Sequence, residues 1–241
     1  MKKAKKSLGQ NFLTDKNIAK KIINQIPIRN KIILEVGPGY GFLTDFILEE
    51  KPKNLILVEK DKNIYYFLKD KYLNHKNIKI FNQDILKFNF KNYRKINIIS
   101  NLPYNISSKI ILKLLKLPIN INEMLIMIQK EMSEKFDYNR KTINKYKFFL
   151  KISSTYKCLF DVPKTVFSPK PKVTSTVVKI NLKNKIINWN KVEMFANTIF
   201  RNKRKKISNK IKSKDMKIDI YLDKRVDQLD IFDLLKIYNS F

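Results

Sequence analysis

The chain has 241 residues, 44% of them apolar and 30% charged, which suits one large domain with its own core plus a small appendage. It is too rich in Ile, Leu, Phe and Tyr for a disordered chain. Its 51 Lys and Arg against 21 Asp and Glu leave a net charge of +30, a surplus that favours a polyanion, nucleic acid first, through counterion release and faster encounter. Heavy use of Lys, Asn and Ile throughout accounts for part of that surplus, so its clustering matters more than its total. A lone cysteine, Cys158, and a lone histidine, His75, exclude an intrachain disulfide and a Cys/His zinc site; no metal is expected. The basic start MKKAKK leads into SLGQNFL without the apolar run of a signal peptide, so a soluble cytoplasmic protein with no membrane partner is expected.

Short apolar runs recur at KIILEV (31–36), NLILVE (54–59), IKIF (78–81), INIIS (96–100) and MLIMIQ (124–129). Such lengths suit strands buried on both faces. Between them FLTDFILEE, NIYYFLKDKYL and SSKIILKLLKL carry an apolar stripe at helical spacing. The alternation predicts an α/β fold built on an open, doubly wound sheet. Further on, FFLKISSTYKCLFDV (148–162) and TSTVVKINL (174–182) predict two longer strands that add an antiparallel pair to the sheet edge, joined by PKTVFSPKPKV (163–173). After Lys183 the pattern becomes polar, basic and helical. This predicts a large domain over residues 1–185 and a small helical domain over 186–241.

The segment ILEVGPGYGFLTDFI ends a strand in Glu35 and places Gly37, Gly39 and Gly41, three of the chain's four glycines, in one loop before a helix. Glycine lets the backbone turn sharply there and lets a ligand approach closely. The G-P-G-x-G spacing departs from the dinucleotide pattern, and Pro38 offers no amide to a pyrophosphate, which argues against NAD. Glu59 closes the second strand, where an acid accepts from ribose hydroxyls, and Asp84 follows the third, where it can accept from an adenine amine. Each acid alone would read as a helix cap or a turn residue. Their order at successive strand ends points instead to a ligand with a ribose and an adenine and no phosphate requirement, S-adenosylmethionine. After the fourth strand Asn101 offers a side-chain carbonyl, Leu102 and Pro103 offer main-chain carbonyls, and Tyr104 offers an aromatic face.

Taken in order, SLGQNFL (7–13), EVGPGYGFLT (35–44), VEKD (58–61), NQDIL (82–86), NLPYNISS (101–108), MIQKE (127–131) and VFSPKPKVTS (166–175) resemble the motifs of the ribosomal RNA adenine dimethyltransferases. The resemblance is close over roughly residues 7–182 and looser beyond. It implies a Rossmann-like S-adenosylmethionine-dependent methyltransferase fold with a small C-terminal helical, RNA-binding domain. It also implies that Asn11 and Leu13 touch the cofactor, Gly37 and Gly39 line its methionine end, Glu59 holds the ribose, Asp84 and Ile85 hold the adenine, and Lys60 is a further cofactor-binding residue. Asn101, Leu102, Pro103 and Tyr104 become the catalytic segment, with Asn101 where cofactor and target base meet.

The implied reaction methylates adenine N6, a poor nucleophile whose lone pair is delocalised into the ring. Carbonyl oxygens that accept the N6 hydrogens favour the charged, pyramidal nitrogen over the planar ground state. Tyr104 would stack on the unpaired base. Phe167 is either the opposite wall of the base slot or a core aromatic at a strand end. Lys170, Lys172 and the run Arg201, Lys203, Arg204, Lys205, Lys206, expected within one helical stretch, are the candidate RNA contacts. Lys135 stands where relatives usually carry arginine.

The function implied is N6,N6-dimethylation of two adjacent adenosines in a hairpin loop near the 3′ end of small-subunit rRNA, by a monomer acting within an assembling subunit. Two alternatives share parts of the pattern: a large-subunit rRNA adenine methyltransferase of the macrolide-resistance type, and a non-catalytic nucleic-acid-binding transcription cofactor. The second would be expected to lose Glu59, Asp84 and Asn101, and all three are present.

Overall fold

The structure is a computed structural model, and residues 11–202, 204–211 and 218–241 are described. The described chain opens with a short strand β1 (Phe12–Leu13) and helix α1 (Lys16–Ile23), capped by the Asp15 carboxylate accepting from the Ile18 amide. Strand and helix then alternate through β2 (Ile32–Val36), α2 (Phe42–Glu49), β3 (Asn54–Glu59), α3 (Lys62–Lys71) and β4 (Ile78–Asn82). A long loop leads to β5 (Ile96–Asn101), α4 (Ser107–Leu115) and β6 (Ile121–Gln129). Helices α5 (Lys130–Phe136) and α6 (Lys145–Ser153) precede β7 (Ser154–Val162), β8 (Phe167–Ser168) and β9 (Ser175–Leu182). The chain closes with α7 (Trp189–Phe200), α8 (Asp219–Leu222) and α9 (Ile231–Asn239).

Among the described residues the main sheet has the order β4-β3-β2-β5-β6-β9-β7. Strands β4, β3, β2, β5 and β6 run parallel, and β9 joins β6 and β7 antiparallel. The chain winds outward from β2 to β4 and then returns to lay β5 on the other side of β2. The order therefore reverses between β2 and β5, and a crevice opens at their carboxyl ends.

Alternate residues of each central strand enter opposite cores. Leu34, Val36, Ile56, Val58 and Ile98 pack toward α4 and α6, while Ile33, Leu55, Leu57 and Ile99 pack toward α1, α2 and α3. Burying an Ile or Leu side chain fully gains about 1.5–3 kcal/mol, so burial on both faces explains why these runs are apolar without alternation. Apolar residues of α7 and α9, including Phe195, Ile199, Leu234 and Ile237, continue the first core beyond α4 and α6. The Phe148 ring meets both Phe195 and Tyr238 there.

The expected doubly wound sheet and its antiparallel edge are present, but the run at 148–162 is not strand throughout. Its first part completes α6, because the Asn144 side-chain Oδ1 accepts from the amides of Tyr146 and Lys147 and nucleates a helix upstream. Ser153 and Ser154 turn their hydroxyls back onto the carbonyls of Phe149 and Leu150, and strand β7 begins at Ser154. The basic stretch after Phe200 also departs from a helix. Asn202 has φ +54°, in the left-handed region, and the Lys210 ammonium donates to the carbonyls of Ile199 and Arg201 at the end of α7.

Candidate active site

The turn from β2 to α2 forms the floor of the crevice. Gly39 has φ +57°, and a Cβ there would stand 2.8 Å from the Phe12 ring. Gly41, the N-cap of α2, has φ +79°, and a Cβ there would stand 2.2 Å from the Tyr72 hydroxyl. Only glycine fits either place. The loop is clasped from behind: the single proton of the Tyr72 hydroxyl faces Asp45 Oδ1 (2.6 Å) and the Gly41 carbonyl (3.0 Å), and Lys71 Nζ pairs with Asp45 Oδ2 (2.6 Å). Burial and the neighbouring Asp45 push the Tyr72 phenol well above its ordinary pKa.

Three acids ring the crevice together with the glycine loop. Glu35, at the end of β2, is 2% exposed and accepts from the Thr44 hydroxyl at 2.6 Å. Burial, abetted by Asp45 and Glu59, pushes its carboxyl up to about 8. Glu59 ends β3, and its Oε1 accepts from the Asp61 amide at 2.8 Å. Burial raises its pKa against the opposing amides of Asp61, Gly39 and Lys60.

Asp84 is more exposed and doubly engaged. Its Oδ2 pairs with Lys60 Nζ at 2.9 Å, and its Oδ1 accepts from the Leu86 amide at 2.9 Å. The Lys60 ammonium thereby holds the Asp84 carboxyl below the usual range. Lys60 reaches the crevice as the partner of Asp84, beside the buried Ile85.

At the end of β5, Asn101 Nδ2 donates to the Asn11 carbonyl at 2.8 Å, while its buried Oδ1 has no hydrogen-bond partner among the described residues. Leaving a buried acceptor unmade costs about 1–3 kcal/mol. Leu102 buries its side chain and donates its amide to the Met127 carbonyl. Of the two main-chain carbonyls expected to face outward, that of Pro103 accepts from the Ile106 amide in the turn before α4. The turn uses it because α4 begins only four residues after Pro103. The Tyr104 hydroxyl shares a 2.5 Å hydrogen bond with Ser175 Oγ at the start of β9. That bond anchors the half-buried ring, and burial raises the phenol pKa.

Residues distant in sequence close the site from the other side. Phe12 and Leu13 pair antiparallel with Ser168 and Phe167, forming a two-stranded ribbon that brings Asn11, Phe12 and Leu13 to the crevice. Phe12, missed by sequence reasoning, stacks against Gly39 and lies 5.1 Å from the Tyr40 ring. Its only sequence signal is its place in the SLGQNFL motif. Phe167 is 4% exposed and joins the core behind the ribbon, so of its two readings the structure gives the core aromatic. It does not line the crevice. Burial of the ring against Leu13 is the physical reason.

Lys170 and Lys172 are exposed on the turn between β8 and β9. Arg201, Arg204 and Lys205 are exposed after α7 and make no ion pair among the described residues, whereas Lys206 pairs with Asp223 at 2.9 Å. Lys203 lies outside the described residues. Lys135 forms an i,i+4 ion pair with Glu131 at 2.7 Å.

Residues 1–241 match the family described as ribosomal RNA adenine dimethylase. A curated relative from Malacoplasma penetrans, "Ribosomal RNA small subunit methyltransferase A", is 43% identical over 218 residues, covering 87% of this chain and 78% of the relative. Its namesake in Mycoplasma mobile is 40% identical over 242 residues, 94% of each chain. Among solved structures, a dimethyladenosine transferase from Plasmodium falciparum shares the fold with a TM-score of 0.79 at 23% identity, covering 94% of this chain and 95% of its own. The 23S rRNA methyltransferase ErmE does so with a TM-score of 0.78 at 20% identity, covering 95% and 98%. With its whole length matched and its relatives so similar, the chain belongs to the ribosomal RNA adenine dimethylase family.

Proposed function

We propose that this protein uses S-adenosylmethionine to dimethylate N6 of two adjacent adenosines in a hairpin loop near the 3′ end of small-subunit rRNA, as a cytoplasmic monomer acting within an assembling subunit. The observation that carries the reading is the buried Asn101 Oδ1, an acceptor with no donor among the described residues, in a crevice bounded by Glu35, Glu59 and Asp84. These residues fit the cofactor: Glu59 offers acceptors to a ribose at the end of β3, Asp84 and Ile85 flank an adenine, and the glycine turn admits the amino-acid end. When bound, S-adenosylmethionine supplies an electrophilic methyl group on a sulfonium.

The chain's own part is to ready the nitrogen. Asn101 Nδ2 is fixed by the Asn11 carbonyl, so Oδ1 is aimed without further ordering and accepts one N6 hydrogen. The Leu102 carbonyl takes the other, since that of Pro103 is engaged by Ile106. Both oxygens favour positive charge developing on N6 more than they favour the neutral amine. The Tyr104 ring, held by Ser175, supports the face of the base. No acid is needed for a neutral thioether leaving group, and the methylated nitrogen can lose its proton to water.

Exposed cations at Lys170, Lys172, Arg201, Arg204 and Lys205 supply the phosphate contacts in this reading, with residues 186–241 as the small RNA-holding domain. The names of the relatives favour the small subunit over the large one. The test offers labelled S-adenosylmethionine with undermethylated small subunits, large subunits or free rRNA of each kind. Label in small-subunit adenosines supports the reading; label confined to large-subunit rRNA, or none, overturns it.

A further inference from the structure

The loop that follows β4 carries Asp84 and Ile85, yet it has little regular structure of its own. One side chain gathers it. Lys113, on α4, donates from Nζ to the carbonyls of Ile85 (2.9 Å), Leu86 (2.9 Å) and Phe88 (2.8 Å). An ammonium has three protons, so this one is spent entirely on three carbonyls of a single loop. Lys113 is partly buried, and the Phe90 ring lies 5.5 Å from its Nζ. Asn120 extends the clamp, donating to the carbonyls of Phe90 (2.8 Å) and Tyr93 (2.7 Å).

This arrangement is not what an RNA-facing cation makes. A phosphate contact needs free donors and exposure, whereas Lys113 points its charge inward at main-chain oxygens. Its helix begins three residues after Tyr104, so the same rigid element continues from the NLPY turn and pins the loop that bears Asp84. Asp84 Oδ1 meanwhile caps that loop through the Leu86 amide, so the loop's conformation and the carboxylate's direction are set together.

We propose that Lys113 is a positioning residue that fixes the adenine-reading loop, and through it the discrimination for the 6-amino group of the adenosyl ligand. The inference rests on the adenosyl reading of the crevice given above. Loss of the ammonium frees three carbonyls and lets the loop from Ile85 to Phe88 relax, and Asp84 then no longer meets the amine in a fixed direction. The glycine turn and Glu59, on other elements, keep their places.

The test measures binding of S-adenosylhomocysteine and of S-inosylhomocysteine, whose 6-amino group is replaced by an oxo group, to the wild type, K113M and K113R by calorimetry. Binding of S-adenosylhomocysteine to the wild type checks the adenosyl reading independently. K113M is expected to weaken the adenosyl ligand about tenfold and the inosyl ligand much less, the usual order of coupling within one hydrogen-bonded network. K113R keeps the charge but presents a planar fork instead of three convergent donors, so an intermediate loss of preference is expected. If K113M does not fold, the same ratio in K113R decides. Equal weakening of both ligands, or an unchanged preference for the amino group, would overturn the proposal while leaving the adenosyl reading intact.

Discussion

Asn101 and Asn11, 90 residues apart in sequence, meet in a 2.8 Å hydrogen bond from the Asn101 amide nitrogen to the Asn11 carbonyl. The bond commits the amide nitrogen to the N-terminal segment, and the amide oxygen is buried and unmatched among the described residues. One side chain thus fastens the segment that borders the crevice and turns toward the crevice the oxygen to which the proposed reaction assigns an N6 hydrogen.

Replacing Asn101 with Ala is expected to lower methyl transfer about a hundred- to a thousandfold, the usual cost of one oriented transition-state hydrogen bond. Cofactor binding should fall far less, because Glu59 stands at the end of β3 and Asp84 in the loop after β4, apart from Asn101 on β5. Single-turnover transfer at saturating cofactor, beside a binding titration, separates the two. Near-wild-type turnover in N101A would remove the residue from the chemistry.

The Tyr104–Ser175 hydrogen bond separates the ring from its hydroxyl. Y104F keeps the aromatic face and should retain activity within a few-fold. Y104A should weaken use of the target base by about 5- to 150-fold, since a stacked base gains ~1–3 kcal/mol. Equal losses in both variants would show that the hydroxyl, not the face, matters.

How far the sequence discloses this site depends on how local each feature is. The four buried strands β2, β3, β5 and β6, the half-exposed edge strand β4, the glycine turn and the acids that follow successive strands are readable because each is a short run with its own signature. The ribbon joining Phe12 and Leu13 to Ser168 and Phe167 carries no such mark, as two-residue strands have no periodicity and their partners lie far along the chain. FFLKIS is equally apolar as strand or helix, and only the Asn144 cap upstream decides. The basic run from Arg201 to Lys206 holds no apolar residue of its own, so no helical stripe is legible within it. Lys113 has no distinguishing signal in a lysine-rich chain, and its three acceptors are main-chain atoms that no motif records.

The Glu35 carboxyl gives a pH dependence of defined sign. With its folded pKa raised from 4.5 to about 8, the folded state holds a proton that the unfolded state has released. The stabilisation is therefore complete below about pH 4.5 and is lost progressively as pH rises to about 8. Glu59, shifted upward by burial, acts in the same direction. Denaturant unfolding of the free protein across this range should show stability falling with pH, and E35Q should flatten the fall. A slope unchanged in E35Q would deny that Glu35 is protonated in the fold.

Exposed basic residues after α7 should act on capture of the substrate. Changing Arg201, Arg204 and Lys205 to Gln is expected to weaken subunit binding and to reduce the log–log salt slope by about 0.7–0.9 per lost phosphate contact. The loss belongs in KM for the subunit, since these residues lie outside the crevice. Lys206 should contribute less, its ammonium being paired with Asp223. Binding isotherms across a salt series provide the check, and identical slopes for wild type and variant would exclude these contacts.

Mass spectrometry of the 3′-terminal fragment of small-subunit rRNA, taken from cells lacking their own dimethyltransferase gene and supplied with this protein or with N101A, decides the proposed activity in its natural setting. Two adjacent N6,N6-dimethyladenosines in the cells given the wild-type protein, and unmodified adenosines in those given N101A, are the predicted result. Unmodified adenosines in both, from cells where each protein is expressed and folded, would contradict it.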